Sequence, residues 1–552
     1  MTTIESSPDA VATASSDRAG NTSSVLDGVA AVFTSTDHKV TGRLYLAGGL
    51  LGLVATVVIN VMLSVERIDG VDTVLGYQIL PQLVDAQRVG LIFATLLPLA
   101  MAGCVAVVPM QLGARSIAFP RFASSGFWMW FGGAFLTAFA LLDNGGTLGR
   151  NADAVGLFIA GIGLMAVGLT ASAVSVATTV FTTRAPGMTM RRVPPFSWSA
   201  LVFALGLVLV MPVLLGTLAY VFLDHRNGRT GFGGNEGIFT WVGWIITQPV
   251  SFLFAIPAVG MLAETVPVVF GKRAAVRGVL FAGLGLIGVA ALGGVTQQNV
   301  QNLPWAGSDL SVDDLGTKIG DLVPFLLFNA LPILGILLVL LAVLQTARPD
   351  GGVRFNFSPA VLFAFFGFGM ILVGMLGNLL HAADDLALQG TVFEEATAIY
   401  VVYGAVLAAM SAVIHWAPKL WGATFDTTKV TPLALLGLTG TILAAFPLYI
   451  AGFLDQPAGI AYTDDDLLIW NLISLVGHGL MAVTVIGFLG LLALSLRGDR
   501  TVGDDPWDAQ TIEWATTSPA PRDNFVDVPV VNSAEPLLDL KPAAASNDRS
   551  DA

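Results

Sequence analysis

The sequence predicts an all-α membrane protein, a bundle of twelve transmembrane helices. Three observations predict it. The 552-residue chain is 55% hydrophobic and only 12% charged, against about 25% charged residues in soluble domains. Its mean hydropathy is +0.76. Apolar stretches of about 20 residues recur along it, each long enough to cross a bilayer core of roughly 30 Å. Such spans are helices, because lipid offers the backbone no hydrogen-bond partner.

The elements follow in order. Residues 1–37 are polar and rich in Ser, Thr and Ala, without the apolar core of a cleavable signal. They read as a cytoplasmic N-terminal tail, largely disordered. The membrane domain, 38–500, opens with Leu44–Val65, between Lys39 and Arg43 on one side and Arg67 on the other. Val89–Leu112 runs from Arg88 to Arg115. Phe127–Leu142, after Arg121, is short and ends before Arg150. Val155–Thr183 leads to Arg184, Arg191 and Arg192, and Ser199–Leu223 to Arg226 and Arg229. Phe239–Phe270 is long enough to tilt or to extend beyond the lipid, and ends at Lys272, Arg273 and Arg277. Val276–Thr296 precedes an outer stretch bearing Lys318, and Leu322–Thr346 precedes Arg348 and Arg354. Pro359–Leu380 and Ala396–Trp416 flank an acidic outer loop. Lys419 and Lys429 separate the latter from Pro432–Phe453, and Leu467–Leu496 ends at Arg497 and Arg500. Residues 501–552, Pro- and Ala-rich, read as a cytoplasmic C-terminal tail, largely disordered.

The basic residues gather at one end of the spans, so the positive-inside bias puts that end and both termini in the cytoplasm of a bacterial cell. The opposite loops are acidic, with Asp69, Asp72, Asp313, Asp314, Asp384, Asp385 and Asp464-Asp465-Asp466. A solvated surface is the plain reading; docking of a basic electron carrier or a partner subunit is the sharper one. The single cysteine, Cys104, excludes an internal disulfide and any multi-cysteine metal site. Nothing in the chain suggests a nucleic-acid partner.

Several segments carry a resemblance. Thr36-Asp37-His38-Lys39 is followed by Gly42-Arg43-Leu44-Tyr45-Leu46. After the second span come Pro109-Met110-Gln111-Leu112-Gly113-Ala114, Ala118-Phe119-Pro120-Arg121-Phe122 and Phe127-Trp128. The tenth span ends Ile414-His415-Trp416-Ala417-Pro418, and the twelfth opens Trp470-Asn471-Leu472-Ile473-Ser474. The tail reads Asp505-Pro506-Trp507, Thr511-Ile512-Glu513-Trp514-Ala515, Ser518-Pro519 and Asn524-Phe525. Together, from about residue 35 to 525, they resemble cytochrome c oxidase subunit I of the haem–copper oxidase superfamily, in its bacterial, actinobacterial form. The resemblance implies a twelve-helix bundle with three helix-lined pores, two haems and one copper.

It also implies a ligand set. In that family a low-spin haem takes two histidines, a high-spin haem one and the copper three. The second-span ligand falls at Gln87, eleven residues before Pro98. The copper positions fall at Gln248, before Pro249, and at the adjacent Gln297 and Gln298. The tenth-span pair falls at Ala396 and Ala398. All six positions are substituted. An amide offers only a weak oxygen donor and no basic nitrogen, and alanine offers nothing. The glutamines are expected to hydrogen-bond to one another and to neighbouring helices.

Supporting positions differ as well. The family's glutamate after the sixth-span proline is Val250 here, and its crosslinked tyrosine is Phe252. Its channel aspartate and asparagine are Ser116 and Val105. Its second-channel lysine falls at Phe328 or Leu326. Its propionate-holding arginines fall at Leu448 and Tyr449, and its outer metal pair near Leu388 and Gln389.

Among the polar residues that remain, Glu264 is a membrane acid and so a candidate by position, with an ion pair to Lys272 or Arg273 or a structural cap as its plain reading. His381, Asp384, Asp385, Glu394 and Glu395 are candidates for a cation site; an acidic outer loop is the plainer reading. His478 reads as a packed histidine bonded to a helix neighbour, and His38 and His415 as structural.

The expectation is therefore a subunit-I-like pseudoenzyme, without haem, copper or proton pathways. It would have a structural or regulatory role in a respiratory membrane complex, beside subunit II-like or subunit III-like chains. Two alternatives stand beside it: an active oxidase subunit with unusual ligation, and a transporter or channel using the haem space.

Overall fold

The structure is a computed structural model. It describes residue 32 and residues 34–68, 75–76, 79–229, 231–234, 237–245, 250–296, 320, 322–348, 357–382, 386–459, 465–498 and 502–539. Among these, eleven helices are long and apolar enough to cross a membrane. In chain order the bundle is α1 (His38–Glu66), α2 (Leu80–Gln111), α3 (Pro120–Leu142), α4 (Ala152–Thr182), α5 (Pro195–Arg226), α6 (Ser251–Phe270), α7 (Arg277–Gly288, resuming as Ala290–Thr296), α8 (Leu322–Thr346), α9 (Pro359–His381), α10 (Val392–Trp421), α11 (Thr427–Phe453) and α12 (Asp465–Arg497). The twelfth apolar element is α7, whose helix is interrupted at Val289 and is described as far as Thr296.

Local chemistry sets the ends. Asp37 caps α1 by accepting from Lys39 N at 2.9 Å, Thr391 caps α10 through Phe393 N at 3.2 Å, and Asp426 caps α11 through Thr428 N at 3.0 Å. Such caps satisfy backbone donors that no helical carbonyl reaches. Prolines in the first turn start α3, α5 and α9, where the missing N–H costs nothing. This is why α3 begins at Pro120 and not at Phe127: its first turn is too polar to register as apolar. In α2 and α8 a π-helical stretch, Gly90–Leu96 and Leu326–Ala330, runs up to a proline, Pro98 and Pro332. A proline inside a helix leaves a carbonyl without its donor, and the widened turn takes up the mismatch. Of the expected sixth span, the described residues before α6 form short helical turns, Ile238–Val242 and Gly243–Ile245, and α6 itself is interrupted at Ala255.

Neighbouring helices approach through small residues, as membrane bundles do. A Cβ on Gly477 of α12 would lie 2.0 Å from Ala444 N of α11, and one on Gly367 of α9 would lie 2.4 Å from the Gly404 carbonyl of α10. Helix α10 is the most enclosed of the long ones beside α2 and α6, with 83% of its apolar window buried.

The stretch expected as a C-terminal tail is different. Residues 502–539 lie against the ends of the helices near Ala114, Pro267 and His415, with Ile512, Trp514, Phe525, Val531 and Leu537 buried. Gln510 Nε2 donates to the Pro267 carbonyl at 2.8 Å, Trp507 Nε1 to the His415 carbonyl at 2.9 Å and Asn524 Nδ2 to the Ala114 carbonyl at 2.7 Å. Average composition hid these anchors, which are few and widely spaced.

Candidate functional site

The site is a buried polar network toward one end of the bundle, built by four helices. Gln87 lies on α2 immediately before the π-helical turn, 4% exposed. Its amide nitrogen donates to Asn60 Oδ1 of α1 at 2.9 Å and to Glu395 Oε1 of α10 at 2.8 Å. A primary amide has two N–H groups, so both are committed. Glu395 also takes a bidentate pair of bonds from Arg67, the residue that caps the C-terminal end of α1. Asn60 Nδ2 donates to the Tyr403 hydroxyl at 2.8 Å, and that hydroxyl lies 2.9 Å from His478 Nδ1 of α12. The chain is satisfied when the Tyr403 hydroxyl donates to Nδ1, leaving His478 protonated on Nε2. Asn60, Arg67, Gln87, Tyr403 and His478 are all nearly inaccessible.

A cavity of about 200 Å³ adjoins the network, lined in part by Gln87, Arg88, His381, Glu394, Glu395 and Ala398. It falls below the roughly 300–1,000 Å³ of drug-sized sites. Glu394 accepts from Gly390 N at 3.1 Å and pairs with His381 Nε2 at 2.9 Å. Glu395 turns instead to Arg67, so the adjacent glutamates serve different partners. Asp384 and Asp385 lie outside the described residues. Among the described residues no three His, Cys, Asp or Glu side chains converge as a metal site would require.

Of the other family positions, Ala396 is fully buried and Ala398 partly so. Gln248, Gln297 and Gln298 lie outside the described residues, and Val250 is described for its backbone only. Val105 and Phe252 are buried among apolar side chains, and Phe328 is buried in the π-helical turn of α8, whereas Leu326 is exposed. Ser116 borders a cavity of about 330 Å³ with Asp37, Arg522 and Asp523. Leu448 is fully buried. Tyr449 packs its ring on Phe393, 4.3 Å between centroids, with its hydroxyl 3.3 Å from Thr397 Oγ1. Leu388 is buried and Gln389 exposed. Glu264 does not pair with Lys272 or Arg273: it accepts from Phe196 N at 3.1 Å, and Arg273 pairs with Asp539. The helix start at Pro195 brings a free backbone N–H to it, whereas the two basic residues lie beyond Gly271, outside the helix.

Three members of the network escaped sequence reasoning. Arg67 counted only as a loop charge, and Asn60 and Tyr403 were passed over. Asn60 had a usable signal, since a polar side chain in mid-span is a candidate by position.

Gln87, Ala396 and Ala398, the described positions at which the resemblance implies ligands, carry no imidazole. Gln87 has spent its donors on Asn60 and Glu395. Ala396 and Ala398 present methyl groups, and haem iron and copper need imidazole, thiolate or thioether donors. No chemical step is routed through haem or copper at these positions.

A family model described as Cytochrome C and Quinol oxidase polypeptide I matches residues 40–480. Cytochrome c oxidase subunit 1 of Bacillus subtilis (strain 168) is 29% identical over 542 residues, covering 91% of this chain and 82% of that protein. The probable cytochrome c oxidase subunit 1-alpha of Streptomyces coelicolor is also 29% identical, covering 92% and 89%. A solved haem–copper terminal oxidase dimer shares the fold, with a TM-score of 0.61 at 12% identity, covering 85% of this chain and 84% of that one. These matches correct one expectation. The family and these relatives are haem–copper oxidases, which bind haems and copper, so the expectation of a chain without cofactors does not stand. With residues 40–480 matched and the helical bundle in place, the chain belongs to the cytochrome c and quinol oxidase polypeptide I family as a subunit I-like, multi-pass membrane protein.

Proposed function

We propose that this chain serves a membrane respiratory complex in a structural or regulatory role, catalytically degenerate at the inherited ligand positions. The observation that carries the reading is the commitment of Gln87. Where the family places a histidine on α2, this chain places an amide that joins α1, α2 and α10 through Asn60 and Glu395, and α12 through Tyr403 and His478. Subunit I chains of this family associate with other membrane subunits; subunit II-like or III-like chains are the partners proposed here. The proposed setting is the bacterial plasma membrane with both termini cytoplasmic, from the basic loops on one side.

The test is purification of the native complex from cells with and without this chain. Subunit composition, the reduced-minus-oxidised optical spectrum and oxygen uptake are then measured. The reading expects the other subunits to fall apart or drop in abundance without the chain, while oxygen uptake per remaining complete oxidase is unchanged. Oxygen uptake that disappears with this chain and is restored by it would overturn the reading. That outcome would support the second one, an oxidase subunit with unusual ligation, which the relatives' names favour.

A further inference from the structure

A second polar cluster lies where the 502–539 segment meets the bundle, remote from Gln87. Glu264 of α6 is 3% exposed, and Glu513 of the 502–539 segment is fully buried. The Thr511 hydroxyl, two residues before Glu513 in the segment, lies 3.5 Å from Glu264 Oε1. Glu264 Oε2 accepts from Phe196 N. Glu513 Oε1 accepts from Gln111 Nε2 at 3.0 Å and lies 3.4 Å from Trp416 Nε1, and its Oε2 has no partner.

The surrounding charges do not neutralise the two acids. Arg277, at the start of α7, pairs with Glu535 at 3.3 Å. Lys419 of α10 donates to the Asp504 and Thr516 carbonyls and sits over the Trp514 ring. His415 of α10 is enclosed by Trp416, Trp507 and Trp514. Among the described residues, neither carboxyl has a lysine or arginine within ion-pair distance. Two buried carboxylates side by side repel, and each loses its hydration. A proton on one of them removes the repulsion and supplies a donor where Oε2 lacks one.

We propose that Glu264 and Glu513 bind one proton between them, and that this shared proton fastens the 502–539 segment to the bundle. The segment is otherwise held there by Gln510 on the Pro267 carbonyl and by the burial of Ile512 and Trp514. Burial pushes the Glu513 carboxyl up, against the pull of the Gln111 bond. Released into water, the same carboxyl returns to its ordinary value. The docked state therefore holds more protons than the released state above the ordinary carboxylate range. Docking is at its strongest below that range and weakens as pH rises through the raised value of docked Glu513.

The test is hydrogen exchange of residues 510–525 in the full-length protein in lipid nanodiscs, corrected for intrinsic exchange, between about pH 5 and pH 9. One linked proton gives about a tenfold loss of protection per pH unit inside the window. Glu513→Gln and Glu264→Gln each replace one acid by a neutral donor and should flatten the slope. Each should also remove the protonated-carboxyl infrared band. A flat wild-type profile would overturn the proposal, as would a slope that survives in both variants. If Glu513→Gln fails to fold, Glu264→Gln alone decides, because it leaves the segment's own sequence intact.

Discussion

Removing the carboxylate of Glu395 tests the network most directly. In the wild type its two oxygens take the Arg67 guanidinium in a fork and one N–H of Gln87. The Arg67 side chain is only 5% exposed, so in Glu395→Ala its charge stays in a poorly hydrated place without a counterion. Breaking a buried pair from one side costs about 3–5 kcal/mol. The lost Gln87 bond adds about 0.5–1.5 kcal/mol, which brings the expected total to about 4–6 kcal/mol. Removing both charges, as in Arg67→Met with Glu395→Met, leaves no orphan and should fall within about 1–2 kcal/mol of wild type. The assay is reversible unfolding in mixed micelles, fitted for all four members of the double-mutant cycle. A Glu395→Ala cost under about 1 kcal/mol, or a double variant as unstable as the single one, would refute the view that this pair is desolvated and braces the bundle.

Three further outcomes are expected. Gly477→Val should separate α11 from α12, because even a Cβ would meet Ala444 N at 2.0 Å; thermal unfolding should show a loss of at least about 1–3 kcal/mol. Val105→Asn returns the family's residue type to a position that is fully buried among apolar side chains, and the unpaired amide should cost about 1–3 kcal/mol in the same assay. Trp514→Ala removes a buried ring that lies under Lys419 and should cost about 3–5 kcal/mol. Combined with Glu395→Ala it should be additive within about 0.5 kcal/mol, since Lys419 and Glu395 are separated by about 36 Å of helix rise along α10.

The bundle was legible because each span announces itself by length and apolarity, and the loop charges alternate between the two ends. What the hydropathy missed was local. The polar first turn of α3 from Pro120, the interruption of α7 at Val289 and the π-helical turns before Pro98 and Pro332 depend on backbone geometry, which average apolarity does not report. The segment after residue 501 was misread for a related reason. Its order comes from Gln510, Trp507 and Asn524 each reaching a carbonyl on the bundle, contacts that a compositional average cannot contain. At the candidate site, Gln87 could be located from its spacing to Pro98. Its partners could not, since Asn60 meets Tyr403 across 343 residues of sequence. Only the folded chain places four helices around one amide.

That placement bears on how the substitution at Gln87 should be understood. A histidine bound to a metal through one ring nitrogen has a single N–H left to donate. It could satisfy Asn60 Oδ1 or Glu395 Oε1, not both. The amide at this position serves both acceptors from one nitrogen. Glu395 in turn compensates Arg67, and Asn60 passes the bonding on to Tyr403 and His478. Each partner fits the amide better than it would fit an imidazole committed to a metal. A random loss of one ligand would leave acceptors short of donors in a place where each shortfall costs about 1–3 kcal/mol. The polar groups on α1, α2, α10 and α12 satisfy one another, and their bonds join the four helices.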